Sequence, residues 1–147
     1  MAHYRTRKET ISYKKYLHER KKQGKDSDCI FCEVVPGFPQ FVKELKHFKI
    51  IRNIFMYSSW DGQAVREHLL LVPHKHVNSL AHVSKAAALE YFDTITAYEE
   101  KGYHVYARGS GTSTKTIIHQ HTHLIKPAGK HHKLVIFLAK PYMRIVR

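Results

Sequence analysis

Residues Ile117-Ile118-His119-Gln120-His121-Thr122-His123-Leu124-Ile125 set three histidines at alternate positions between pairs of aliphatic residues. In an extended chain, alternation sends His119, His121 and His123 to one face. At about 3.3 Å per residue, same-face neighbours stand about 6.6 Å apart, so the three rings span about 13 Å, the scale of a phosphate and its neighbours. Neutral imidazole is a nucleophile at physiological pH, and its protonated form donates hydrogen bonds to phosphoryl oxygens. Such a row can attack phosphorus from its centre, His121, while its flanks neutralise the oxygens. A metal site is the competing reading, because His-x-His on a strand also chelates zinc and the chain holds 13 histidines.

Outward from this stretch, further strands are expected over 47–57, 67–72 (closed by Pro73), 103–107 and 134–139, with the histidine strand itself over 117–125. Residues 58–62 supply turn chemistry in a connection longer than a tight hairpin. Ala86, Leu89, Phe92, Ile95 and Tyr98 recur at helical spacing, with Ser84 as N-cap and Gly102 as stop, which predicts a helix within 82–102. A thinner stripe, Ile11, Tyr13, Tyr16 and Leu17, predicts a helix over about 6–23, ended by the breaker Gly24–Asp28. No repeat and no regular βαβ alternation is present. The expected class is α+β: about five antiparallel strands with a helix packed on one face, leaving the other face for a ligand.

A chain of 147 residues supports one compact domain, assigned to 28–140, flanked by a basic N-terminal extension (1–27) and a basic tail (141–147). Of the net +13, residues 1–25 carry nine cations against two acids, and six more cations with no acid follow from Lys126, so the middle is neutral. Charged ends of this kind steer anionic ligands or touch a nucleic-acid backbone, or are simply solvated. Tyr4, Tyr13 and Tyr16 would then either stack on bases or pack against their own domain. No apolar run has the length of a membrane span and no secretory segment opens the chain, which predicts a cytoplasmic protein with no membrane partner. Two cysteines in a C-x-x-C pair, Cys29 and Cys32, make no disulfide framework and are expected to be reduced.

The His-x-His-x-His-Leu-Ile pattern resembles the histidine triad (HIT) superfamily of nucleotidyl hydrolases and transferases. Asp28-Cys29-Ile30-Phe31-Cys32-Glu33 looks like the start of many bacterial members, and Glu67-His68-Leu69-Leu70-Leu71-Val72-Pro73-His74-Lys75-His76-Val77 looks like the family's strand and turn before P-x-x-H. The likeness spans about Cys29 to Pro127. It implies a homodimer with a sheet continuous across the interface, and a covalent mechanism in which His121 attacks the α-phosphorus of a nucleotide. His123 and His68 would contact phosphate oxygens, His119 would complete the triad, and Thr116 would stand beside the leaving group. It also implies a structural zinc held by Cys29, Cys32, His76 and His119, whose two thiolates and two imidazoles form a closed tetrahedral set.

This chain departs from the family pattern at several points. Gln120 and Thr122 replace apolar residues between the histidines, which suggests a less buried back to that strand. Lys115 precedes Thr116 where Gln or Gly is common, and the Gly109–Thr114 loop is slightly long. Asp61 is the nearest acid to the ribose-gripping position, and Ala107 or Arg108 stands in place of an Asn.

The function these residues favour is release of a nucleoside monophosphate from a phosphoramidate or dinucleoside polyphosphate through a nucleotidyl-histidine. Removal of adenylate from a nucleic-acid end ranks below it. The alternative from a different class is a non-catalytic nucleotide- or nucleic-acid-binding protein of the same fold.

Overall fold

A computed structural model describes residues 3–25, 28–112, 115–131, 135–139 and 142–146. Chain order is β1 (His3–Tyr4), α1 (Arg7–Lys22), α2 (Ile30–Glu33), β2 (Phe41–Glu44), β3 (Phe48–Arg52), β4 (Ser59–Trp60), β5 (Gln63–Pro73), a 3-10 turn (Leu80–His82), α3 (Lys85–Glu99), β6 (His104–Ala107), β7 (Thr122–His131), β8 (Val135–Ala139) and β9 (Tyr142–Val146). Five strands make the body of an antiparallel sheet in the order β2-β3-β5-β7-β6, and the two-residue strands β4 and β1 extend it beside the start of β5. The expected α+β architecture is the one observed.

Parity along the central strands decides what each face carries. Leu69 and Leu71 of β5, Ile50 of β3 and Leu124 of β7 point to one side, where Ala87, Tyr91, Ile95 and Tyr98 of α3 cover them. Leu70 and Val72 of β5 and Ile51 of β3 point to the other, against Phe31 and Val34 around α2. His68 and His123 fall in this second parity class. Ser84 caps α3 by accepting from the Ala87 N–H, and Gly102 follows the helix at φ +78, as the sequence indicates.

Several elements differ from expectation for identifiable reasons. The connection after β3 contains a tight hairpin: Asp61 and Gly62 both take positive φ, 51 and 78, and join β4 to β5 in two residues. That is the conformation Asp-Gly favours between twisted strands. The strand expected from residue 117 begins only at Thr122. Upstream of it the chain leaves the ladder, and the Gln120 N–H donates to Val77 O at 2.6 Å, which ties the segment to the loop after β5. The back of the strand is more buried than its polar residues suggest: Thr122 is 1% and Gln120 3% exposed. Thr122 shares a hydrogen bond with Tyr91 of α3, and Gln120 accepts from Lys115 Nζ, so both polar groups are satisfied. Residues 142–146, expected as part of a tail, form β9 and pair with β8 in a separate two-stranded sheet.

Helix α1 is capped by a full capping box, Thr6 with Glu9, and lies against the domain. Tyr13 and Tyr16 pack on Phe55, with ring centroids at 5.1 and 5.2 Å. Arg20 reaches Glu33 through both terminal nitrogens, at 2.9 and 2.7 Å. The two tyrosines are therefore used for packing on their own domain.

Candidate active site

The three histidines do not form a single row. His123 sits on β7, whereas His119 and His121 lie in the irregular segment before it, and their rings turn to different neighbours. All three are buried.

His121 Nδ1 lies 2.8 Å from the His119 carbonyl oxygen. An oxygen of this kind can only accept, so Nδ1 carries the proton and Nε2 keeps the lone pair. Burial lowers the His121 pKa, with the nearby Lys115 and Arg108 charges acting in the same direction, which favours the neutral ring. Phe31 from α2 packs edge-on against it at 5.0 Å. His121 thus offers a neutral, oriented nitrogen to the cavity it lines.

His123 is set up to do the opposite job. The Tyr57 N–H donates to His68 Nδ1 at 3.3 Å, so His68 Nδ1 is an acceptor and His68 Nε2 bears hydrogen. That nitrogen stands 2.8 Å from His123 Nδ1, which must then accept, leaving the proton of a neutral His123 on Nε2. His123 Nε2 is buried with no hydrogen-bond partner among the described residues, and His123 lines the cavity. A donor left open in a closed site is one that an anionic oxygen can satisfy. His68 is itself fully buried and does not line the cavity, so its route to a bound group runs through His123.

Thr116 is exposed, lines the cavity and accepts from Tyr13 Oη of α1 at 3.0 Å. Asp61 lies in the β4–β5 turn and does not line the cavity. Asn53, just past the end of β3, does line it; its Oδ1 accepts from the Phe55 N–H, and its amide nitrogen lies 3.2 and 3.4 Å from the two ring nitrogens of His68. Asn53 was missed because its signal is positional: it is legible only once the end of β3 is known. Arg5, just before the Thr6 cap of α1, and Arg108, just past β6, also border the cavity, with Arg5 stacked over Tyr57 and Tyr13.

His119 faces away from His121, into a second cluster. Cys29, Cys32, His76 and His119 bring four ligand atoms within 4.8 Å of one another. His119 Nε2 donates to Pro73 O at 3.0 Å, which leaves the Nδ1 lone pair toward Cys29 and Cys32 at 3.3 and 3.5 Å; His76 Nδ1 is 3.3 Å from Cys32. Burial holds the His119 pKa down at about 4 and pushes the Cys32 thiol up to about 11. These separations match a tetrahedral set at bond lengths of roughly 2.0–2.3 Å, and the carbonyl that orients His119 is the kind of outer partner such ligands use. The donor set fits a metal such as zinc.

No protein-family model and no curated protein matches the sequence. Among solved structures, the chain superposes on a HIT family hydrolase from Clostridium thermocellum with a TM-score of 0.53 and 21% identity, covering 74% of this chain and 97% of that one. A HIT family hydrolase from Legionella pneumophila gives 0.50 and 21%, covering 71% and 95%. Likeness at this identity establishes a shared HIT-like fold.

Proposed function

We propose that this chain, built on the HIT-like fold, is a nucleotidyl hydrolase or transferase that works through a covalent nucleotidyl-histidine at His121. The observation that supports it is the pair of opposed ring orientations: a lone pair on His121 Nε2 beside a proton on His123 Nε2, in one cavity. His121 Nε2 forms a bond to the α-phosphorus while the bond to the leaving oxygen or nitrogen breaks. His123 Nε2–H donates to a non-bridging oxygen as its charge grows, and the hydroxyl of Thr116, which lines the same cavity, donates to the departing atom. Water then replaces His121 on phosphorus, and the nucleoside monophosphate leaves. Ile30, Phe31, Val34, Ile51 and Leu70 give the cavity an apolar wall suited to a base and sugar.

Zinc held by Cys29, Cys32, His76 and His119 would act structurally, since four protein ligands leave no position open. It would fix the segment that carries His121. Pairing into a homodimer is part of the same reading, because Leu89 and Phe92 on α3 are 68% and 62% exposed and β6 pairs only with β7 among the described residues. Sedimentation equilibrium tests that element, and a monomer at every concentration removes it.

The direct test of the reaction is brief mixing with a dinucleoside polyphosphate or a nucleoside phosphoramidate, followed by intact-mass analysis. The expected result is an adduct of one nucleoside monophosphate less water, absent in His121→Ala. Turnover that persists unchanged in a folded His121→Ala protein overturns the proposal.

A further inference from the structure

Arg5, Arg108 and, through β3, Arg52 border the cavity, and among the described residues no acidic residue does; Arg52 pairs with Leu69 and so shares the parity of the α3 face. Asn53 supplies an amide where an acid would have balanced that charge. The cations are not spread evenly. Arg5 lies over the Tyr57 ring at 5.0 Å, Arg108 Nη2 is 3.4 Å from Tyr57 Oη, and the Tyr57 ring stacks on His123 at 5.6 Å. Two guanidiniums thus converge on the His123 side of the site, across from the apolar wall made by Phe31 and its neighbours. Arg5 comes from the segment leading into α1, which is held in place by the Tyr13–Thr116 hydrogen bond, by Tyr13 and Tyr16 on Phe55, and by Arg20 on Glu33. One N–H of Arg5 is used on the Phe55 carbonyl, at 3.1 Å, which orients the rest of the fork.

We infer that the N-terminal helix is part of the active site, and that Arg5 with Arg108 forms a phosphate-chain subsite that selects substrates with a polyphosphate leaving group over those with a neutral or cationic amine. This rests on the reaction proposed above and specifies its substrate class. A guanidinium fork binds phosphate oxygens through charge-assisted, bidentate hydrogen bonds, and a cationic amine in the same place meets like charge from Arg108 and from Arg5, on which Glu9 acts from outside the cavity lining.

The test uses the full chain in two measurements. Calorimetric binding of inorganic tripolyphosphate is compared in the parent protein, Arg5→Ala and Arg5→Lys. The expected loss in Arg5→Ala is about tenfold or more, and Arg5→Lys recovers part of it. The second measurement is the ratio of kcat/KM for a dinucleoside tetraphosphate over a nucleoside phosphoramidate, which is expected to exceed one in the parent and to fall about tenfold in Arg5→Ala. Equal losses for both substrates, or unchanged tripolyphosphate binding, overturn the inference, as does stronger displacement of tripolyphosphate by an oligonucleotide at equal phosphate concentration. If no adduct forms on His121 but tripolyphosphate binding still depends on Arg5, the proposed reaction fails while the anion subsite stands.

Discussion

His68 Nε2 stands 2.8 Å from His123 Nδ1, and this contact determines which nitrogen of His123 faces the cavity. The two residues are diagonal neighbours on adjacent strands, since His68 pairs with Ile125 and Leu70 with His123. A His68→Ala protein leaves His123 Nδ1 buried without its donor, and the ring loses its fixed tautomer. The expected fall in kcat is about 10- to 100-fold, from a buried hydrogen bond worth roughly 1–3 kcal/mol. His68→Gln, which can still donate, is expected to recover part of the loss. Steady-state kinetics on the three proteins decides the matter, and an unchanged kcat in His68→Ala rejects the relay.

Glu9 gives the docking of α1 a pH dependence. Burial pushes its carboxyl up, but hydrogen bonds from Ser58 and Thr6 outweigh that, and the pKa lies below 4.5. A carboxyl held lower in the folded chain than in the unfolded one stabilises fully above about 4.5, and that contribution disappears as pH falls through the folded value. Amide exchange across residues 7–22 should therefore quicken in that acid range in the parent protein. Glu9→Gln should already exchange faster at neutral pH and show a flatter acid response; identical profiles count against the role assigned to Glu9.

The cysteine–histidine cluster predicts about one zinc per chain by elemental analysis. Cys32→Ser should lose the metal and melt several degrees lower, because binding energy for an ion held only in the folded state adds to stability. Chelation of the parent protein should lower its Tm toward that of the variant. A metal-free preparation with the same Tm as a zinc-loaded one would refute the assignment.

Arg20 has a side chain only 10% exposed, and it also donates to the Lys25 and Asp28 carbonyls. Replacing it with Ala strands these acceptors and Glu33, whose side chain is 37% exposed and partly reachable by water. The expected destabilisation is about 1–3 kcal/mol, below the figure for a fully buried pair. Urea denaturation measures it, and a change within about 0.5 kcal/mol, as at an ordinary surface site, contradicts the anchoring role.

Much of the fold was legible because the strongest signals were local. Ser84 and Gly102 bracket α3 by cap chemistry, and the aliphatic runs of β5 and β7 are long enough to mark central strands. The C-x-x-C pair and its partners His76 and His119 come together as the resemblance implied. What the sequence hid depends on long-range contacts. Alternation alone put His119 beside His121 on one face, but the Pro73 carbonyl and the thiols draw its ring the other way. Asp61 was the visible acid, yet the hairpin needs it at positive φ, and Asn53 enters the cavity from the end of β3. Arg5 lies 52 positions from Tyr57 in sequence, and no short-range pattern links the two.

His119 serves two neighbours with two different parts of itself: its ring meets the sulfurs, and its main-chain oxygen receives the proton of His121 Nδ1. A bulky alkyl group attached to Cys32, the exposed thiol of the pair, would press on that ring and tilt the peptide behind it. Under the proposed reaction, His121 Nε2 would then lose its aim although the reagent never entered the cavity, so thiol-blocking compounds offer a way to silence that nitrogen from outside.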